Sequence, residues 1–173
     1  GLTDSLAMGP VDDLSNFMGA VIDDRAFAKH AAAIDRAETD DTVTVVAGGG
    51  YDDGEGYFVR PTVLESTDPE NEIFTTEYFG PILGVHVFDD ADYDKVLRQM
   101  ESVAPYALTG AVIAQDRAAI AEAERRGAFG VGGRGAGGGN GSHGDASCSV
   151  GRGSALGSTA SGAGDFATCL GLL

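Results

Sequence analysis

The chain has no tryptophan, two cysteines, three histidines and five prolines in 173 residues, and its lysines number only two, Lys29 and Lys95. Each shortage excludes something. Cys148 and Cys169 show no metal-type spacing, so they form neither a disulfide framework nor a zinc site. With 11 Lys+Arg against 27 Asp+Glu the net charge is −16, which argues against nucleic acid or an anionic membrane as a partner. The longest uncharged stretches are Gly-rich rather than apolar, so no membrane-spanning helix is expected. The first residues lack a basic segment followed by an apolar one, so no secretory signal is expected and a cytoplasmic setting is the default.

What is present is unevenly distributed. Residues 1–126 carry 25 of the 27 acids and 9 of the 11 bases, which accounts for the whole net charge. Residues 127–173 carry two acids (Asp145, Asp165) and two bases (Arg134, Arg152), yet hold 16 of the 27 glycines. An acidic, patterned block at 1–126 is thus followed by a Gly/Ala/Ser-rich tail at 127–173. Among the acids Asp outnumbers Glu 18 to 9. Codon bias of a GC-rich genome accounts for this; adaptation of a charged surface to salt is the alternative.

The block reads as alternating elements. Asp23 to Glu38 has an acidic start and places Phe27, Ala31 and Ile34 on one helical face. Thr42 to Ala47 is a β-branched run closed by Gly48-Gly49-Gly50. Tyr57 to Leu64 reads as a second strand, with Pro61 marking an edge or a bulge. Ile82 to Phe88 reads as a third strand. A helix from Asp89 to Met100 follows, with Tyr93, Val96, Leu97 and Met100 on its buried side. Leu108 to Ala114 reads as a fourth strand, and an Ala-rich helix runs from Asp116 to about Arg126. The βαβα order from Ile82 onward predicts parallel strands joined by a right-handed crossover, and hence an α/β sheet domain.

Several motif matches dissolve on inspection. Gly130-Val-Gly132-Gly133-Arg134-Gly135 fits G-x-G-x-x-G, but a helix precedes it and glycines follow, where a dinucleotide loop needs a strand before and a helix after. Asp90, Asp92, Asp94 and Glu101 imitate a calcium loop, but Lys95 occupies the position of the obligatory glycine. Acids capping and solvating a helix start explain that segment better. His30, His86 and His143 are scattered without ligand spacing, and His86 in a strand is expected to be packed or at a rim. No metal site is expected.

Glu77-Tyr78-Phe79-Gly80-Pro81 is the most informative segment. Gly80-Pro81 forms a turn into the strand at Ile82, and a Glu and an aromatic on irregular backbone before a strand suit a binding site as well as a packed turn. The segment resembles the E-x-F-G-P motif of the aldehyde dehydrogenase superfamily. Ser15-Asn-Phe-Met-Gly-Ala-Val-Ile-Asp23, Ala47-Gly-Gly, Tyr51-Asp-Asp, Gly56-Tyr-Phe-Val-Arg-Pro-Thr-Val63, Phe74-Thr-Thr-Glu and Tyr106-Ala-Leu-Thr-Gly-Ala-Val-Ile113 follow the same superfamily in order and at matching spacing. Together they look like the branch acting on L-glutamate γ-semialdehyde, and the likeness covers residues 1 to about 126.

The resemblance implies part of an α/β catalytic domain from a homo-oligomeric, NAD-dependent enzyme of proline catabolism. In that chemistry a cysteine thiolate attacks the aldehyde, hydride passes to NAD⁺, and a Glu-activated water releases the acid, here glutamate. Glu77 and Phe79 inherit cofactor roles: Glu77 accepts hydrogen bonds from the nicotinamide ribose hydroxyls, and Phe79 packs near the nicotinamide. No catalytic residue is inherited. The family's nucleophile lies upstream of the matched region, and neither Cys148 nor Cys169 corresponds to it. The isolated chain is therefore expected to be inactive. A non-catalytic truncated relative serving as an interaction module is the alternative, since a partial α/β sheet leaves edges and apolar faces to cover. The tail matches only sparsely, at Val150-Gly151-Arg152, Gly157, Ala160-Ser161-Gly162 and Asp165. A disrupted reading frame or divergence explains this, the first being favoured. Its shortage of large apolar groups predicts poor order.

Overall fold

Asp23 opens the first helix by local chemistry. Its backbone is extended, and its Oδ1 accepts a hydrogen bond from the Ala26 amide at 2.8 Å, satisfying a donor that the first turn would otherwise leave bare. Helix α1 (Asp24–Thr39) buries His30, Ala33, Ile34 and Ala37, a stripe at three- and four-residue spacing. Asp40 ends it by turning the chain: its Oδ1 accepts from both the amide and the hydroxyl of Thr42, at 2.8 and 2.7 Å. The computed structural model describes residues 1–103, 114, 116–126 and the backbone of Phe166–Leu170.

Strand β1 (Val43–Ala47) is stopped by Gly48 and Gly49, whose φ angles of +79° and +83° favour glycine. At Gly48 the chain also passes so close to Pro61 that an added Cβ would lie 2.1 Å from the Pro61 carbonyl oxygen. Two short strands, β2 (Tyr51–Asp52) and β3 (Phe58–Val59), then form an antiparallel pair of their own.

The continuous strand expected over Tyr57 to Leu64 is broken at Arg60-Pro61. Phe58–Val59 pairs with β2, while strand β4 (Thr62–Ser66) enters the larger sheet. Nor does Pro61 mark an edge strand, because β4 is flanked on both sides. Proline lies one residue before the ladder begins, where its missing N–H costs no strand hydrogen bond, and the Thr62 amide donates to the Pro81 carbonyl at 2.7 Å. The irregularity falls instead on β1, where the register shifts between Val45 and Ala47.

The connection after β4 carries helix α2 (Glu72–Thr75) and leads to strand β5 (Ile82–Phe88). β4 runs antiparallel to β1, with Thr44 opposite Glu65, and parallel to β5, with Thr62 opposite Ile82. The sheet is mixed, in the order β1–β4–β5–β6, where β6 is Phe166–Leu170. Within the tail expected to be irregular, these five residues therefore have strand backbone. The fourth strand expected at Leu108 to Ala114 lies, except for Ala114, outside the described residues, as do its parallel pairing and the rest of the tail.

The chain forms two compact units, Gly1–His86 with Cys169–Leu173, and Val87–Thr168. In the first, Ile34, Val59, Leu64 and Phe74 are among the buried side chains, and α1 packs on β1. In the second, a 3₁₀ turn at Asp90–Asp92 precedes helix α3 (Tyr93–Ser102). Val96 and Leu97 are buried, while Tyr93 and Met100 are partly buried against Phe88 and Val96, as the helical spacing predicts. Asp89 and Asp92, at the two N-cap positions, make no side-chain capping bond, so Asp92 does not act as the cap expected of it. Asp116 does: its Oδ1 accepts from the Ala118 amide at 2.8 Å and opens helix α4 (Arg117–Arg126). The Tyr93 hydroxyl donates to the Ala119 carbonyl at 2.7 Å, tying α3 to α4.

Candidate functional site

The segment Glu77–Pro81 joins α2 to β5 and rests on the buried face of α1. Three of its residues are held there. The Lys29 ammonium donates to the Glu77 carbonyl. The His30 Nε2 lies 2.9 Å from the Tyr78 carbonyl oxygen, which can only accept, so Nε2 carries the hydrogen. Gly80 lies against the same imidazole, and a Cβ there would stand 2.1 Å from Nε2. The Lys29 Nζ also lies 5.8 Å from the Tyr78 ring centroid, a cation–π distance.

About two turns further along α1, the Arg36 Nε donates to Glu72 Oε1 at 3.0 Å, and its Nη2 reaches the same oxygen. The Glu72 carboxylate raises the pKa of Arg36 by accepting these bonds. The Tyr78 hydroxyl is 3.5 Å from that same oxygen. Asn71 caps α2, its Oδ1 accepting from the Ile73 amide at 3.1 Å, while its Nδ2 donates to Asp40 Oδ2 at 2.8 Å and approaches the Thr42 hydroxyl. Both ends of the α2 connection are thus pinned to α1 or to the turn that follows it.

Between these anchors, Phe79 has φ of +55°, the sole non-glycine residue with positive φ among the described residues, and the residue is 71% exposed. An aromatic residue held left-handed with its ring in solvent gains little from burial in return for the backbone strain. Glu77 is half-buried, and its carboxylate has no hydrogen-bond or ion-pair partner among the described residues. An acceptor-only group with both oxygens unengaged can take hydrogen bonds from two neighbouring hydroxyls, and an exposed aromatic edge can flank a planar ring.

The two site residues predicted from sequence, Glu77 and Phe79, are therefore brought to one turn. The support beneath it, Lys29, His30, Arg36 and Glu72, was not read from the sequence. The available signal was His30 itself, which falls within the apolar stripe of an amphipathic helix. His86 is packed as expected: its Nδ1 lies 2.9 Å from the Ser66 carbonyl, and its ring meets Phe74 edge-on. Among the described residues no group of three or more His, Cys, Asp or Glu is arranged to hold a metal ion, and no helix is long and apolar enough to cross a membrane. The G-x-G-x-x-G match lies outside the described residues.

A family model described as "Aldehyde dehydrogenase family" matches residues 2–136. The mitochondrial Δ1-pyrroline-5-carboxylate dehydrogenase of Danio rerio is 46% identical over 114 residues, which is 66% of this chain and 20% of that protein. The human enzyme of the same name is 40% identical over 116 residues, covering 67% and 21%. Among solved structures, Δ-pyrroline-5-carboxylate dehydrogenase from Mycobacterium tuberculosis, bound with NAD and cobalamin, superposes with a TM-score of 0.67 at 54% identity, covering 72% of this chain and 23% of that one. The 1-pyrroline-5-carboxylate dehydrogenase from Thermus with bound NAD gives 0.61 at 29% identity, covering 72% and 23%. The chain spans about a fifth of the length of the curated relatives it matches, 20% and 21% for the two named. By its family match, its sheet and the turn at Glu77–Pro81, this chain belongs to the aldehyde dehydrogenase family.

Proposed function

We propose that this chain supplies the nicotinamide-ribose side of the active site of an NAD-dependent dehydrogenase that oxidises L-glutamate γ-semialdehyde to glutamate. One observation carries the reading: the Glu77 carboxylate is unengaged on a turn whose backbone is anchored at the residues around it. NAD⁺ supplies the hydride acceptor. Glu77 would hold the ribose through two hydroxyls, and Phe79 would flank the nicotinamide from its exposed, left-handed position. Identity with Δ1-pyrroline-5-carboxylate dehydrogenases supports the substrate class. The reading takes the working enzyme as a cytoplasmic homo-oligomer acting on a small-molecule aldehyde, to be checked by sedimentation and cell fractionation.

Residues 1–126 contain no cysteine. These 173 residues alone would therefore not reduce NAD⁺ with the semialdehyde as substrate; turnover abolished by thiol alkylation would overturn that. The role of Glu77 is tested in a chimera in which residues 2–126 replace the matching span of the M. tuberculosis enzyme. Glu77→Gln should raise KM for NAD⁺ about tenfold or more, the loss expected when hydrogen bonds to a charged acceptor weaken. An unchanged KM would sink the assignment.

A second reading, a non-catalytic interaction module, draws on the exposure of Leu2, Val11, Leu14, Phe17 and Ile22, more apolar surface in one short stretch than isolated surface residues leave. Co-sedimentation of the 173-residue chain with an intact dehydrogenase of this type would favour it.

A further inference from the structure

We propose that His30 is a positioning residue. Through the Tyr78 carbonyl and the bare face of Gly80 it fixes the backbone of Glu77–Pro81, and so the direction of the Glu77 carboxylate and the Phe79 ring. The inference rests on the reading of Glu77 and Phe79 given above.

His30 is fully buried, yet its Nδ1 has no hydrogen-bond partner among the described residues. An apolar residue on this helix stripe would avoid that desolvation cost, as Ile34 does one turn later. What an apolar residue could not supply is the Nε2–H donated to Tyr78. The imidazole also occupies the space where any side chain at position 80 would begin, so with His30 in place position 80 takes only glycine.

Phe79 sits between the two residues seated on His30, and Lys29 holds the carbonyl before them. A left-handed aromatic residue persists only where its surroundings over-determine the backbone. Here the flanking peptides are fixed from one side by consecutive residues of a single helix. A change of a few tenths of an ångström at His30 is therefore passed directly to the site turn, although His30 touches no ligand itself.

The conformational consequence is read by NMR on the full 173-residue chain. A left-handed residue gives a strong intraresidue amide–Hα cross-peak. In His30→Leu, which keeps apolar bulk but loses the donor, that cross-peak at Phe79 should weaken and Gly80 amide exchange should quicken, while the methyl shifts of Ile34 and Leu64 stay in place. His30→Gln, which presents an N–H at similar reach, should recover the parent pattern. Gly80→Ala approaches the same contact from the turn and should reproduce the loss, which keeps the test decisive if His30→Leu does not fold. Phe79 retaining its cross-peak in His30→Leu or in Gly80→Ala, or His30→Gln behaving like His30→Leu, would overturn the proposal.

The functional consequence is read in the same chimera. His30→Leu should raise KM for NAD⁺ about fivefold, which at 1.4 kcal/mol per decade is ~1 kcal/mol, with a smaller change in kcat and recovery in His30→Gln. If Glu77→Gln leaves KM unchanged, the cofactor reading fails while the NMR result still decides the positioning role. If Glu77→Gln raises KM and His30→Leu does not, the positioning role fails alone.

Discussion

Arg36 on α1 and Glu72 on α2, 36 residues apart in the chain, share a single carboxylate oxygen, Glu72 Oε1, which accepts from both Nε and Nη2 of the guanidinium. The pair closes the long connection between β4 and β5 onto the helix that supports the site. Both side chains are about half exposed, at 53% and 48%. Solvent screening therefore limits its worth. A double-mutant cycle of Arg36→Ala and Glu72→Ala in urea should give a coupling of about 0.5 kcal/mol that shrinks with added salt. A coupling several times larger, or one indifferent to salt, would contradict this.

Gly48 and Gly49 separate two causes of glycine preference. Both have positive φ, but a Cβ at Gly48 would collide with the Pro61 backbone at 2.1 Å, while one at Gly49 would meet only side chains, the nearest being the Val45 Cγ1 at 3.2 Å. Gly49→Ala should cost roughly 1 kcal/mol of stability from backbone strain. Gly48→Ala should cost clearly more, because the neighbour it meets is main chain. Equal unfolding midpoints for the two variants would refute the ordering.

Asn71 acts at both ends of its side chain, capping α2 and donating to Asp40. Asn71→Ala should destabilise by about 1–2 kcal/mol in chemical denaturation, the range of a lost cap plus a lost hydrogen bond. Asn71→Asp keeps the cap acceptor but sets a second carboxylate against Asp40, so its deficit should shrink as pH falls toward 4, near the ordinary carboxylate range.

Acid sensitivity follows from three turn aspartates with lowered pKa values. Asp40 is lowered first by the Thr42 hydroxyl, then by the Thr42 amide and Asn71. Asp23 is lowered first by the Ala26 amide, and Asp13 by the Ser15 amide. Because each folded-state pKa lies below the unfolded value of about 3.9, the unfolded chain binds more protons in that window, and stability rises with pH there. Their contribution is complete above pH ~4 and is lost as pH falls through the folded values. Carboxyl carbon titration by NMR should place all three below the other described aspartates that lack such bonds. Asp40→Asn should flatten the acid limb of the stability curve.

Much of the fold was legible because its signals are local. Asp23, the apolar stripe through Ile34, the β-branched run before Gly48-Gly49 and the Ile82–Phe88 strand each carry their own cue, and each element forms within a residue or two of its expected place. Pro61 was harder to read. Its missing N–H predicts where a strand cannot pair, but not that Phe58–Val59 and Thr62–Ser66 would join different sheets. The acids before α3 misled in a smaller way, since an Asp at a helix start caps only if its rotamer reaches the free amides, as Asp116 does and Asp92 does not.

For the candidate site, the sequence by itself pointed to the pair Glu77 and Phe79 and determined the glycine that follows them, because the ordered motif runs through all three. It could not place His30, Lys29 and Arg36 beneath them. Those residues stand 36 to 48 positions away in the bonds they make, and nothing in their spacing distinguishes a buried support from an ordinary amphipathic helix. Only the tertiary structure decided that. Packing α1 against the sheet brings the imidazole under Gly80 and the ammonium under Glu77, and excluded volume, with the need of the buried Tyr78 carbonyl for a donor, then fixes the turn.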